Sequence, residues 1–363
     1  MTSSADPIST VSQRLESFAS DRRAEVADLG AEAADFVDRA VAAVAGGKRL
    51  RARFLAAGHA AAADAPVGAE SPIGVDIAGV AASLELFHAA ALVHDDLVDN
   101  SDTRRGRPSS HRALEADHRR SGWLGDADAF GRAAAILLGD LLIAWSDDIL
   151  EDAIDGHPHA SDVRRQYAMM RRDVTIGQYL DVAEEAAWAT APDDEHAARA
   201  LRVASYKSAR YSVQQPLLIG AALGGASPAQ REALGEFGHA VGLAFQLRDD
   251  VLGVFGDSAI TGKPSGDDLR EGKRTVLIAY AREALDDTGR ADMDAALGDR
   301  TLDDATIRHL QDVIDKSGAV ERLEREIDRL AASADAALDG APIGEAQIAT
   351  LREIGRAAIR RSF

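Results

Sequence analysis

Asp95-Asp96-Leu97-Val98-Asp99 is followed at once by Arg104-Arg105-Gly106, so carboxylates suited to hard cations and guanidiniums suited to phosphate share one short segment. With residues 76–100 helical, Asp95 and Asp99 stand one turn apart on a single face, where two bare carboxylates repel each other unless something positive lies beside them. Magnesium held by one or two carboxylates keeps its other positions for water and substrate phosphates. A second group lies further along: Phe245-Gln246-Leu247-Arg248-Asp249-Asp250, then Thr261-Gly262-Lys263-Pro264, then Asp267-Asp268-Leu269-Arg270-Glu271-Gly272-Lys273-Arg274-Thr275. Two aspartate pairs, each trailed by a basic loop, suit a diphosphate gripped by metals from two sides. Such clamping acts where negative charge develops, which favours breaking a carbon–oxygen bond and leaving a carbocation. The apolar face above Asp95 then reads as a trough for hydrocarbon.

Gly46-Gly47-Lys48-Arg49-Leu50-Arg51 sets a backbone capable of close approach beside three cations and reads as a phosphate corner. His88, two turns before Asp95 on nearly the same side, can aim its ring at a diphosphate or serve as a packed core residue. Lysine usage sharpens the pattern. Of 41 lysines and arginines only Lys48, Lys207, Lys263, Lys273 and Lys316 are lysine, and the first four fall in candidate site motifs. An ammonium is a compact point charge and a guanidinium a planar fork, so a tight phosphate pocket can require the one and reject the other.

The elements that must carry these groups are helical. Apolar spacing of three and four marks helices over 11–29, from 48 to about 63, over 73–100, 110–119, 127–153, 161–188, 196–220 and 228–255. Helices resume from about Lys273, and the last three, 303–316, 319–338 and 344–361, are charge-patterned amphipaths without a site signal. Pro216 is placed to kink or break its helix. Residues 64–71 read as a loop, 256–272 as a mobile lid, and 1–8 as a disordered tail; strand signals are essentially absent.

A chain of 363 residues, 46% apolar, can bury a large core, and its alanine-rich, aromatic-poor composition favours helix. The formal charge of −19 argues against a nucleic-acid partner. Without cysteine there is no disulfide framework, thiolate nucleophile or cysteine-based zinc site. The start lacks a basic and apolar leader, and no segment reads as apolar for the roughly 18 residues of a membrane span, so the expectation is a soluble cytoplasmic protein.

Taken in order, these motifs resemble those of the trans-prenyltransferases, the (all-E) isoprenyl diphosphate synthases. Gly46 to Arg51 is similar to that family's first phosphate motif, and His94 to Ser101 with Arg104-Arg105-Gly106-Arg107-Pro108 to its first aspartate-rich motif. Gly177-Gln178 with Asp181, Lys207-Ser208, Phe245-Gln246 with Asp249-Asp250, and Gly262 through Thr275 follow in the family's order. The resemblance implies an all-α fold in which residues 9–363 form a single domain of about a dozen helices around a central cavity. It implies that Lys48, Arg51, His88 and Arg105 hold the diphosphate of isopentenyl diphosphate. Asp95, Asp99 and Asp249 ligate magnesium on the allylic diphosphate (dimethylallyl, geranyl or farnesyl), with about two or three ions and manganese as a substitute. Arg104, Lys207, Lys263 and Lys273 bind that diphosphate directly, Asp96 completes the first catalytic motif, and the side-chain oxygens of Ser208 and Gln246 face the carbocation. The departing diphosphate is the base, and the assembly is a homodimer.

Gly253 stands where many members of that family carry a third aspartate, and Asp257 cannot replace it at helical spacing; weaker metal affinity on that side is the expectation. This glycine version resembles the actinobacterial geranylgeranyl diphosphate synthases. Ala52 for proline and Ser208 for threonine are mild departures. Chain length follows from the helix upstream of Asp95. Ala90 and Ala91 are too small to block a fifteen-carbon chain, and Phe87 is the first bulky side chain deeper along it, which points to a twenty-carbon product. The alternatives are a synthase of longer or shorter chains, a non-catalytic subunit of a heteromeric synthase, and a class I terpene cyclase.

Overall fold

A computed structural model describes residues 7–64, 76–256 and 265–360. The helices form two compact units. One takes in the described residues up to Ala56 together with 76–160; the other takes in residues 57–64 together with those from Ser161 onward.

In the first unit α1 (Pro7–Glu25), α2 (Ala31–Val44) and the start of α3 (Leu50–Ala63) accompany α4 (Ile77–Val98), which packs along its length on a later helix, Ala127–Ile154. Pro7 and Ile8 belong to α1, contrary to the expected tail; a proline at a helix start forfeits no hydrogen bond. Residues 1–6, and the expected loop beyond residue 64, lie outside the described residues. Helix α4 begins at the cap Asp76, whose Oδ1 accepts from the Gly79 amide at 2.7 Å while its Oδ2 accepts from Arg14 Nε at 2.8 Å. It is apolar almost all round because it is buried almost all round: Val80, Leu84 and Ala90 are fully inaccessible. The expectation that no segment suits a membrane span is corrected here. Ile77–Val98 is long and apolar enough by composition, but 67% of its most apolar window is buried, as in a core helix.

Beyond α4 lies a short strand pair that the near-absence of strand signals did not locate. Strands β1 (Thr103–Arg104) and β2 (Arg107–Pro108) pair antiparallel, Thr103 opposite Pro108 and Arg104 opposite Arg107. The two turn residues, Arg105 and Gly106, have φ of 53° and 71°, as a two-residue hairpin of type I′ requires. Helices α5 (Ser110–Arg120) and α6 (Ala127–Ile154) complete the unit.

The second unit runs through α7 (Ala160–Ala187) and α8 (His196–Val203) into a π-helical stretch, Ala204–Gln214, then α9 (Gln215–Leu223) and α10 (Pro228–Phe255). Pro216 does not break the chain as expected. The irregularity lies before it, in the π-helical winding, and the helix passes on through the proline, the second residue of α9. Helix α10 starts at a capping box of Ser227 and Gln230 and buries Leu234, Phe237, Val241, Leu247 and Val251. It presses on the π-helical stretch at two glycines: a Cβ at Gly238 would lie 2.9 Å from Gln214 Cα, and one at Gly242 2.4 Å from the Ala209 carbonyl oxygen.

Of the expected lid, residues 257–264 lie outside the described residues. The remainder is not a loop. It holds a short helix, α11 (Asp267–Glu271), set between Gly266 and Gly272 with φ of 71° and 78° and pinned by the fully buried Leu269. Then come α12 (Val276–Ala284), capped by Thr275, α13 (Asp287–Ala296), α14 (Asp304–Lys316), α15 (Ala319–Ala337) and α16 (Glu345–Ile359).

Candidate active site

Two clusters of candidate residues form, one in each unit. In the first, α4 ends at Asp99, whose amide donates to the Asp95 carbonyl at 2.8 Å; Asn100 then turns left-handed, φ 52°. That turn leads into the hairpin, whose Arg104 returns to the helix end. Its Nε donates to Asp96 Oδ1 at 2.8 Å, and its Nη2 reaches both Asp96 Oδ1 and Asp95 Oδ2, the latter at 3.3 Å. Asp96 is buried, whereas Asp95 keeps part of its surface. One guanidinium thus binds two carboxylates through charge-assisted hydrogen bonds.

The phosphate corner assembles beside it. Lys48 is exposed, and Arg49 is buried with φ 51°, its Nη1 donating to Glu85 Oε2 at 3.0 Å and its Nη2 to the Val44 carbonyl at 3.1 Å. A Cβ on Gly47 would lie 3.3 Å from Arg105 Nη2, so the glycine admits that guanidinium. His88 lies among them. Burial first, then the guanidiniums of Arg51, Arg105, Arg104 and Arg49, hold its imidazole well below the usual 6.5. The ring is therefore neutral, a hydrogen-bonding group rather than a fifth cation. Glu85, which carried no role in the sequence reading, is the carboxylate that balances Arg49; its signal was an acid on an otherwise apolar helix, three residues before His88. Phe87 and Ala90 are buried on the same helix, and Ala91 is half-buried.

In the second unit Lys207 and Ser208 stand on the π-helical stretch. Lys207 Nζ lies 2.5 Å from Asp181 Oδ2. Gly177 permits this approach, since a Cβ there would fall 2.3 Å from the Lys207 amide nitrogen. On α10, Gln246 Nε2 donates to Asp250 Oδ1 at 2.8 Å, which fixes the amide and leaves its oxygen as the other end. Burial, partly offset by that hydrogen bond and reinforced by Asp268 and Asp249, pushes the Asp250 carboxyl up to about 8. Lys273 Nζ lies 2.7 Å from Glu271 and 3.6 Å from Asp268. Lys263 lies outside the described residues.

Among the described residues, no group of three or more His, Cys, Asp or Glu is arranged to hold a metal ion by itself. Asp95 and Asp99 in the first unit offer carboxylate oxygens alone, and so does Asp249 in the second. Carboxylate oxygens suit magnesium, which takes few protein ligands and completes its octahedron with water and phosphate.

The polyprenyl synthetase family profile matches residues 35–314. A geranylgeranyl diphosphate synthase of Mycobacterium tuberculosis is 36% identical over 67% of this chain and 61% of its own length. A geranylfarnesyl diphosphate synthase of Aeropyrum pernix is 32% identical over 77% of this chain and 79% of its own. The crystal structure of a geranylgeranyl pyrophosphate synthase from Corynebacterium glutamicum, complexed with isoprenyl diphosphate and magnesium, superposes with a TM-score of 0.90 at 38% identity, covering 98% of each chain. The chain belongs to the polyprenyl synthetase family. It is a trans-prenyltransferase with that family's all-α fold.

Proposed function

We propose that this chain is a geranylgeranyl diphosphate synthase, adding isopentenyl units to allylic diphosphates until twenty carbons are reached. The observation that carries the reading is the pair of anion grips within one unit: the Asp95, Asp99 and Arg104 end of α4, and the separate corner of Lys48, Arg51, His88 and Arg105. Two grips suit two diphosphates, as condensation needs and a cyclase does not.

Lys48, Arg51 and Arg105 neutralise the isopentenyl diphosphate, and neutral His88 hydrogen-bonds to it. Arg104, Lys207, Lys263 and Lys273 bind the allylic diphosphate. Asp95, Asp99 and Asp249 would hold magnesium, which would supply positive charge where the departing oxygen becomes negative. The allylic carbon–oxygen bond breaks, the isopentenyl double bond attacks the carbocation, and a proton passes to the released diphosphate. Gln246, its nitrogen committed to Asp250, presents its oxygen to the cation, as Ser208 does on the π-helical stretch. Asp96 takes no ligand and fixes Arg104. The small Ala90 and Ala91 leave room for the tail, and Phe87 sets its floor. The two units act together as one prenyltransferase domain. Exposed apolar residues on each, Ile136 and Leu137 on α6 and Ile176, Tyr179 and Val182 on α7, support a homodimer in which a second copy covers them. We place it in the cytoplasm.

The test is incubation of the purified chain with isopentenyl diphosphate, magnesium and each allylic starter, followed by chain-length analysis. Elongation stopping at twenty carbons is expected. Longer products would reject the Phe87 floor, hydrocarbon without elongation would indicate a cyclase, and no turnover would indicate a partner-dependent subunit.

A further inference from the structure

Lysine carries its charge on a flexible four-carbon stem, so where the Lys273 ammonium can reach depends on how its main chain is held. Residues 272–275 connect α11 to α12. At one end of this connector Gly272 is left-handed and the Lys273 amide donates to the Asp268 carbonyl at 3.0 Å; at the other, Thr275 caps α12. Between them stands Arg274, whose partners differ from those of Lys273. Its guanidinium carbon lies 4.9 Å from the centroid of the Trp188 ring, and its Nη1 lies 3.6 Å from Asp294 Oδ1. The Arg274 side chain is only 13% exposed. Neither its Nε nor its Nη1 has a hydrogen-bond partner among the described residues, so these atoms are held by the indole face and by the charge of Asp294.

The indole is itself fixed. Trp188, just past the end of α7, is buried; its Nε1 donates to Asp294 Oδ1 at 2.9 Å, and the His196 ring stacks on it with centroids 3.7 Å apart. Arg282 on α12 donates through Nε to Asp294 Oδ2 at 2.9 Å and through Nη1 to Asp193, whose Oδ2 also accepts from Arg290 at 3.1 Å. We infer that Trp188 and Arg274 are positioning residues for the condensation: the indole seats the connector through Arg274, and the seated connector sets where Lys273 meets the allylic diphosphate. The inference rests on the role given to Lys273 in the prenyltransferase reading, and it adds two residues that act through that lysine. Removing the Arg274 charge leaves Asp294 its hydrogen bonds from Trp188 and Arg282, so the change should loosen the connector and not the fold.

The test is steady-state kinetics with the allylic diphosphate and isopentenyl diphosphate varied in turn, and Tm as the check on folding. Arg274→Gln should raise the allylic KM about tenfold and leave the isopentenyl KM unchanged. Arg274→Lys, which keeps a cation for the indole face, should recover most of that loss. Trp188→Leu should raise the same KM, and Trp188→Leu/Arg274→Gln should be no worse than the larger single effect, because both act through one connector. Lys273→Ala should also raise the allylic KM, and adding Arg274→Gln to it should change nothing further. A folded Arg274→Gln with an unchanged allylic KM, or with both KM values raised alike, would overturn the inference, as would losses that multiply in the Lys273→Ala background. If Lys273→Ala itself left the allylic KM unchanged, the role given to Lys273 would fail first, and the inference with it.

Discussion

In the first unit one arginine of a six-residue hairpin reaches both Asp95 and Asp96. In the second, Asp250 is held by the Gln246 amide, while Lys207 and Lys273 are engaged by other carboxylates, Asp181 and Glu271. The same residue types are thus organised in two ways. In the first cluster a planar fork on a tight turn binds two of the carboxylates, Asp95 and Asp96. The second retains negative charge beside a buried acid displaced to about 8, with compact ammoniums that can turn toward an arriving phosphate. One cluster is held by its own hairpin, and the other by partners on separate segments.

The largest effect that tests this contrast is loss of a carboxylate. Asp95→Ala and Asp249→Ala, made separately, should each lower kcat about 10²- to 10³-fold in steady-state condensation assays. On the proposed function the double variant should be little worse than either single one, because that reading gives both residues one ligand. Multiplicative losses would mean that the clusters serve different ligands.

Phe87→Ala asks whether chain length is set in the first unit alone. It should shift products beyond twenty carbons and, as a large-to-small change at a buried site, destabilise by about 3–5 kcal/mol. An unchanged product profile in a variant with lowered Tm would leave Phe87 as core packing and move the floor elsewhere.

The smallest effect concerns His88. Its folded imidazole holds a proton more weakly than the unfolded chain does at 6.5, so as pH falls through 6.5 the unfolded state gains a proton first and stability drops. Above that pH the site contributes no slope. His88→Gln should flatten the fall in Tm between about pH 6.5 and 5 relative to wild type. An identical Tm–pH curve would mean that burial and the four guanidiniums do not suppress its protonation.

What was legible in the sequence follows the same division. Asp95, Asp99 and Arg104 lie within one short stretch, so helix periodicity and a basic loop sufficed to group them. The α10 boundaries were legible at both ends, since Ser227-Pro228 and Gly256 are ordinary start and stop signals. The hairpin was not, because a type I′ turn with Arg in its first central position lacks the usual Asn-Gly or Asp-Gly signal. The π-helical stretch was misread as a proline kink, since the extra width arises from packing against the glycines of neighbouring helices and leaves no local mark. Glu85, and the place of Asp268 beside Gly253, were not legible for a related reason. Each acts on a residue distant in sequence, Arg49 in one case and the space at Gly253 in the other.

The π-helical stretch also bears on how this gene can change. Its last turn is closed by the Gln215 amide on the Arg210 carbonyl, five residues back, so the stretch carries more residues per turn than an α-helix. Deleting one residue between Ala204 and Gln214 would favour ordinary winding and take away the widened turns that neighbouring helices are shaped to meet. Gly177, Gly238 and Gly242 have no side chains because the backbone of this stretch comes within 3 Å of where their Cβ atoms would be. Insertions and deletions should therefore be purged here even when the reading frame survives, because three glycines on two other helices would have to change with them.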